Sequence, residues 1–244
     1  SGVTIHTSSV QLSVTQLWWL RRHQRALGEI LLRHGACCRF SERSMAVVAS
    51  DAVILRLCVG EIISGVLADF VDVKFRAATV DEAVERCLVA AEASGCLALW
   101  HDGVLEVQGA LPDIVRLAQD SGISGQTKLI GTQPAAVRDF VGGKKDGKIN
   151  KIVRETGAFV ELVPHGPYFL SVVVQASTIG EVEMAYRMVL DELPAELARF
   201  VPEAEHRRLI GHGGRNIQRI MKRWGVYMKF AGRAEAEAEW ATAA

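Results

Sequence analysis

The chain has 244 residues, and its 28 lysine and arginine side chains balance 28 aspartate and glutamate side chains. Such a length suits about two to four small domains, and a hydrophobic content of 49% is enough to bury a core in each. Neutral charge argues against sequence-independent nucleic-acid binding over the whole surface, and no apolar run reaches membrane-spanning length without a polar interruption.

Residues 1–123 are expected to form two degenerate units, with boundaries at 1–70 and 71–123. In the first unit, apolar periodicity predicts helices at 12–20, 26–34 and 53–70, with strands at 37–41 and 45–49. The joint between its first two helices, Arg21 to Arg25, contains no glycine. In the second unit we expect a strand at 71–76, one helix at 80–94 without a loop, a hairpin of 96–101 and 104–109 around Asp102-Gly103, and a helix at 112–119.

The third unit, 124–193, has a complete strand-helix-helix-strand-strand-helix pattern. A strand begins at Thr127, and Pro134 opens the first helix. A turn at residues 143–146 separates it from the second helix, and the remaining elements are predicted at 148–156, 158–163, 168–176 and 179–193.

The fourth unit, 194–244, is expected to be incomplete at its C-terminal end. Its predicted elements are a strand at 197–202, a helix at 203–210, a glycine turn at 211–214, a helix at 215–224 and a strand at 226–230. One more strand and one more helix are missing from the pattern.

The glycine turn of the fourth unit carries the most specific chemistry. Gly211, Gly213 and Gly214 allow a close approach of another chain, because no Cβ stands in the way. The helix that follows from Arg215 presents free N–H groups and the positive end of its dipole, which suits a phosphate. Ile217 lies on one face of that helix and can line an apolar groove.

The stretch Leu209 to Ile220 resembles the I-G-x-G-G-x-x-I-x-x-I signature of the KH domain. Together with residues 143–152, 192–196 and 210–230, it makes the third and fourth units similar to the paired KH domains of fungal multi-KH RNA-binding proteins. The resemblance implies an α+β fold of tandem type I KH-like (βααββα) units, the first two degenerate, packed as an extended multi-KH array. It also implies sequence-specific binding of single-stranded RNA (mRNA) that regulates mRNA stability or translation, without catalysis, metal or cofactor.

The resemblance assigns RNA contacts to both turns and to the residues beside them. Asp146 departs from the GxxG pattern of the third-unit turn, and a run of lysines around it compensates with positive charge; the alternative is a solvated lysine run on a surface helix. His212 is either a contact to sugar or phosphate or a solvent-exposed loop residue. The implied RNA-binding residues are Gly143, Lys144, Lys145, Asp146, Gly147, Lys148 and Ile149, and Arg208, Ile210, Gly211, His212, Gly213, Gly214, Arg215, Asn216 and Ile217.

The sequence also contains a partial match to a different functional motif. Residues 142–149 almost match the P-loop pattern G-x-x-x-x-G-K-[ST], but Ile149 replaces the hydroxyl that binds Mg²⁺, and a helix precedes the motif. Two alternatives stay open: a protein-interaction scaffold built from KH-like units, and single-stranded DNA binding. Other proteins, held by the degenerate units, are a further expected class of partner, and no membrane partner is expected.

The cysteines indicate a compartment. Five are scattered without a C-x-x-C pair, which favours reduced thiols over a zinc site, and no signal peptide is visible, so a cytoplasmic location is expected. A last expectation concerns two aromatic side chains, Phe159 and Tyr227, which we expect to pack between neighbouring units on the outer sheet face.

Overall fold

The computed structural model describes residues 4–232 and 234. The first unit has the order βααββα, and its strands form an antiparallel sheet in the order β1-β3-β2. Its elements are β1 His6–Gln11, α1 Val14–Arg22, α2 Gln24–His34, β2 Cys37–Phe40, β3 Ser44–Ala49 and α3 Ala52–Gly65.

Several features of the first unit differ from the sequence prediction. The last helix, predicted at 53–70, ends at Gly65, and Leu67–Asp69 form a separate 3₁₀ turn before β4. Strand β1 was not predicted, because the polar run Thr7-Ser8-Ser9 hides its alternation. Helix α1 begins two residues late, since Ser13 caps it: the Ser13 hydroxyl accepts from the Gln16 N–H at 3.0 Å and Gln16 Oε1 accepts from the Ser13 N–H at 2.9 Å.

The second unit lacks the second helix, as the sequence predicted. It consists of β4 Phe70–Arg76, α4 Glu82–Ala90, β5 Leu97–His101, β6 Val104–Ala110 and α5 Leu111–Ser121. The predicted hairpin turn is present, with Asp102 and Gly103 both at positive φ (48° and 77°), as a type I′ turn requires.

The third unit is a complete βααββα module with the strand order β7-β9-β8. Its elements are β7 Thr127–Pro134, α6 Arg138–Gly142, α7 Gly147–Thr156, β8 Phe159–His165, β9 Phe169–Ala176 and α8 Ile179–Asp191, with short 3₁₀ turns at Ala135–Val137 and Lys144–Asp146.

The second and third units share one sheet. Their first strands pair antiparallel, with Val71 opposite Gly131 and Phe75 opposite Thr127, which gives a six-stranded sheet in the order β5-β6-β4-β7-β9-β8. One continuous apolar cluster from both units lies under this sheet. The two units therefore form one body.

The first unit is docked on this body by apolar packing. Its core cluster includes Phe70 at the start of β4. Ala110 and Phe169 of the sheet pack against this cluster, as does Tyr168 in the turn between β8 and β9. The Tyr168 hydroxyl also lies 2.6 Å from the Ser8 hydroxyl of β1. Because these contacts join the first unit to residues of both the second and the third unit, the first unit is an integral part of the assembly.

The fourth unit has helices α9 Glu203–Ile210 and α10 Arg215–Trp224 joined by a 3₁₀ turn, His212–Gly214. The strands predicted at 197–202 and 226–230 are wrong, because both segments lack strand structure. In the first and third units the last strand lies in the middle and the other two flank it without touching. The described part of the fourth unit has no such central strand, so neither flanking segment has a partner. The remainder of the predicted unit, 233 and 235–244, lies outside the described residues.

The fold class expected from the sequence, α+β with repeated βααββα units, is confirmed. Within the residues that the structure describes, none of the helices combines the length and the apolar character that a membrane crossing requires.

Candidate nucleic-acid interface

The glycine turn of the fourth unit is a left-handed backbone turn between two helices. Gly211 ends α9 at φ 77°, and Gly213 and Gly214 follow at φ 59° and 75°, conformations that side chains rarely adopt. A Cβ on Gly211 would come within 2.9 Å of the Asn216 side chain, whose Nδ2 donates to the Arg208 carbonyl at 3.4 Å. The glycines therefore let a short turn connect α9 to α10, and the first N–H groups of α10 face this turn.

The third-unit turn has the same backbone with fewer glycines. Gly143 has φ 69°, and Lys145 and Asp146 occupy the left-handed positions of Gly213 and Gly214, at φ 54° and 52°. A left-handed conformation costs a residue with a side chain about 1–2 kcal/mol. The departure at Asp146 thus leaves the shape of the turn intact.

An ion pair holds the third-unit turn in this conformation. The Asp146 carboxylate accepts from Arg138 Nη1 at 3.2 Å. A Cβ on Gly142 would meet the same carboxylate at 2.6 Å, so the glycine leaves room for this ion pair. Backbone strain held in place by the surrounding structure at an exposed turn is typical of a binding site.

The lysine run around this turn separates into engaged and unengaged cations. Lys148 Nζ donates to the Phe140 carbonyl at 2.8 Å and lies 3.1 Å from Glu192 Oε2. Lys151 faces Glu155 at 3.8 Å. Within residues 4–232, Lys144 and Lys145 have no carboxylate partner, so these two ammonium groups are the ones available to a phosphate.

The charges of the fourth-unit turn are similarly divided. Arg208 Nε is paired with Glu205 Oε2 at 2.8 Å, and Arg223 lies over the Trp224 ring. Arg215 is exposed at the start of α10, beside the exposed His212. Arg215 is thus better placed than Arg208 to meet an anion.

The apolar positions next to the two turns differ between the units. Ile149 and Ile152 are buried in the core and anchor α7. Their counterparts on α10 are less covered: Ile217 is half-buried and Ile220 is 38% exposed. Ile210, at the end of α9, is half-buried too. Ile149 therefore supports its turn from the core, whereas Ile217 and Ile220 are partly open to solvent.

The expectation for the two aromatic side chains is wrong. Phe159 is 54% exposed and Tyr227 is 85% exposed, so neither packs between units. Phe159 lies on β8, the outermost strand of the six-stranded sheet, where no unit follows. Tyr227 lies in a segment that has no strand structure.

Comparison with known proteins shows similarity to KH domain proteins. A family model for the KH domain matches residues 198–239. The K homology domain-containing protein 4 of Mycosarcoma maydis is 42% identical over 98 residues, which cover 40% of this chain and 7% of that protein. The KH domain-containing protein YLL032C of Saccharomyces cerevisiae is 31% identical over 96 residues, covering 38% of this chain and 11% of that protein.

A longer match covers more of the chain at lower identity. The Meiotically up-regulated gene 60 protein of Schizosaccharomyces pombe is 26% identical over 204 residues, covering 78% of this chain and 30% of that protein. The chain thus spans less than a third of the length of each of these relatives. A solved structure described as KH domains aligns with 78% of this chain and 64% of its own, at 11% identity and a TM-score of 0.43.

Proposed function

We propose that this chain, which contains a KH domain and is similar to fungal KH domain-containing proteins, binds single-stranded RNA in a sequence-specific way through the turns of its third and fourth units. The observation that carries the proposal is the common backbone of the two turns. Lys145 and Asp146 adopt the left-handed conformations of Gly213 and Gly214 in spite of their side chains. Two turns of one shape, each opening a helix, form a pair of clamps for a phosphate backbone.

Each clamp would combine helix N–H groups with nearby cations. Lys144 and Lys145 serve the third-unit turn, and Arg215 and His212 serve the fourth. A clamp of this kind holds about four nucleotides, and the groove beside it reads the base edges. Two clamps on one chain raise the affinity for a longer motif, because the second contact forms at a high effective concentration.

The bound RNA is proposed to be mRNA, and the consequence of binding to be control of its stability or translation in the cytoplasm. Similarity to KH domain-containing proteins supports nucleic-acid binding in general. The regulatory outcome is part of the proposal, which involves no reaction at either turn.

A second candidate function is a protein-interaction scaffold. The uncovered apolar side chains of the fourth unit favour it, since Trp224 is 67% exposed and Val226 48%. Single-stranded DNA is a further candidate ligand, because the phosphates that the turns would hold are common to both nucleic acids.

The test is selection from random single-stranded RNA and DNA pools on the chain and on the variant His212→Asp/Gly213→Asp. Paired carboxylates at the turn repel phosphate, so we expect the variant to lose the enriched RNA motif. An added Cβ on Gly213 meets nothing within 4 Å, and Lys145 shows that a residue with a side chain can adopt this left-handed conformation, at a cost of about 1–2 kcal/mol that the aspartate variant and its control share.

The matched control is His212→Lys/Gly213→Lys, which copies the third-unit turn and changes the same positions without negative charge. We expect this control to keep the motif. Enrichment that survives in the aspartate variant would exclude the fourth-unit turn as a clamp, and the absence of any enriched motif would favour the scaffold.

A further inference from the structure

A carboxylate of the first unit holds side chains from two distant parts of the chain. Glu61 lies on α3 and pairs with Arg33 of α2. The Oε2 atom of Glu61 lies 2.6 Å from His34 Nε2. The same Oε2 accepts from Arg199 Nη1 at 2.7 Å, and Oε1 lies 3.4 Å from Arg199 Nη2. Arg199 thus meets the carboxylate with both terminal nitrogens, in the forked geometry that favours arginine over lysine.

Arg199 belongs to the segment that leads from the third unit to the glycine turn of the fourth, residues 192–202, here named the approach segment. At its start, Glu192 pairs with Lys148 beside the third-unit turn. Pro194 then lines a cleft of about 250 Å³ together with Ser64 and Asp69 of the first unit. The approach segment has no helix or strand after residue 193, so these side-chain contacts decide its course.

The first unit is suited to hold this segment and unsuited to act as a clamp. A single residue, His23 at φ −105°, joins α1 to α2, so the left-handed turn of the third and fourth units is absent there. The unit is nevertheless fixed on the shared sheet by its apolar contacts. It therefore provides a rigid point to which the approach segment is tied.

We propose that Glu61 is a positioning residue: by holding Arg199 it fixes where the fourth-unit clamp lies relative to the third-unit clamp, and so sets the spacing between two RNA elements that one molecule recognises. This inference rests on the proposed function. The first unit then orients the fourth-unit clamp and is not a third RNA-binding site. A fixed distance between clamps favours one spacer length, whereas a loose connection accepts many.

The electrostatics keep the contact in place at neutral pH. Partial burial alone would raise the pKa of Glu61, but the hydrogen bonds from His34 and Arg199 and the charges of Arg199 and Arg33 outweigh burial and lower it. The carboxylate is therefore ionised well below neutrality, and the contact does not depend on small changes of pH.

The test uses a series of RNAs that carry the two selected elements separated by a growing spacer. Arg199→Ala removes the contact from the exposed segment and leaves Glu61 paired with Arg33 and His34, so the first unit keeps its fold. We expect Arg199→Ala to bind each single element as the wild type does. Its affinity at the best spacer should fall about tenfold, and its dependence on spacer length should flatten.

Glu61→Gln should act in the same direction, and Glu29→Gln is the matched control. Glu29 pairs with Arg25 at 3.2 Å on the exposed face of α2, so its loss changes no contact between units. Amide hydrogen exchange of residues 194–202, measured without RNA, should quicken in Arg199→Ala and stay unchanged in Glu29→Gln.

Two outcomes overturn the inference, and they are distinguishable. If the wild type binds neither element, the proposed function fails and the inference with it, while hydrogen exchange still shows whether the contact orders the segment. If the wild type binds the paired elements and Arg199→Ala keeps the same spacer profile, the proposed function stands and the positioning role is refuted.

Discussion

The two unengaged lysines of the third-unit turn lead to a quantitative prediction. Lys144→Ala/Lys145→Ala removes two ammonium groups that lack a carboxylate partner within residues 4–232. Each phosphate neutralised on a single strand contributes about −0.7 to the slope of log affinity against log salt concentration. If both lysines contact phosphates, the variant should have a slope less negative by about 1.4.

Fluorescence anisotropy with the selected RNA at several KCl concentrations measures this slope. A fourfold rise in salt should narrow the affinity gap between wild type and variant about sevenfold. The control is Lys151→Ala/Arg154→Ala, because these cations are already engaged by Glu155 and by the Asn150 carbonyl. Its slope should match that of the wild type. An unchanged slope in the Lys144/Lys145 variant would refute the phosphate contact, even if the affinity itself fell.

Two predictions concern stability, measured by urea unfolding. Gly131→Ala should destabilise the chain by about 1–3 kcal/mol, because its Cβ would lie 2.1 Å from the buried Tyr186 hydroxyl. The control is Gly180→Ala, since a Cβ at Gly180 meets nothing within 4 Å. Equal stability of the two variants would contradict a clash between residue 131 and Tyr186. Burial, with the hydrogen bond and charge of Glu106, raises the pKa of Asp72 from 3.8 to about 7. The native carboxyl then holds a proton that the unfolded chain has released, so stability should fall between about pH 4 and pH 7. Asp72→Asn should therefore stabilise the chain more at pH 8 than at pH 5. An equal effect at both pH values would contradict the raised pKa of Asp72.

The sequence was sufficient where local chemistry decides the structure. The glycines at 211, 213 and 214 predicted the turn directly, because few other residues adopt left-handed φ values. Asp102-Gly103 predicted its hairpin for the same reason. In the third-unit turn, residue type gave no such signal: Lys145 and Asp146 are left-handed because the surrounding helices and Arg138 hold them there.

The other wrong or missing predictions depend on contacts between residues that are far apart in the chain. Residues 197–202 and 226–230 alternate as strands do, yet a strand also needs a neighbour to pair with. The availability of Lys148 was equally hidden, since its partner Glu192 is 44 positions away in the chain. The role of Arg199 is hidden in the same way, because no local motif links it to Glu61, 138 residues earlier.

The shared six-stranded sheet gives the second unit a purpose that needs no ligand. Strand β7 would be an exposed edge if the third unit stood alone, and an unpaired edge is a template for aggregation. Strand β4 covers that edge along Phe75 to Val71. A fragment that begins at residue 124 lacks β4 and exposes this edge of β7. We expect such a fragment to self-associate. The second unit, which has no turn of its own, thus protects this edge of the third unit.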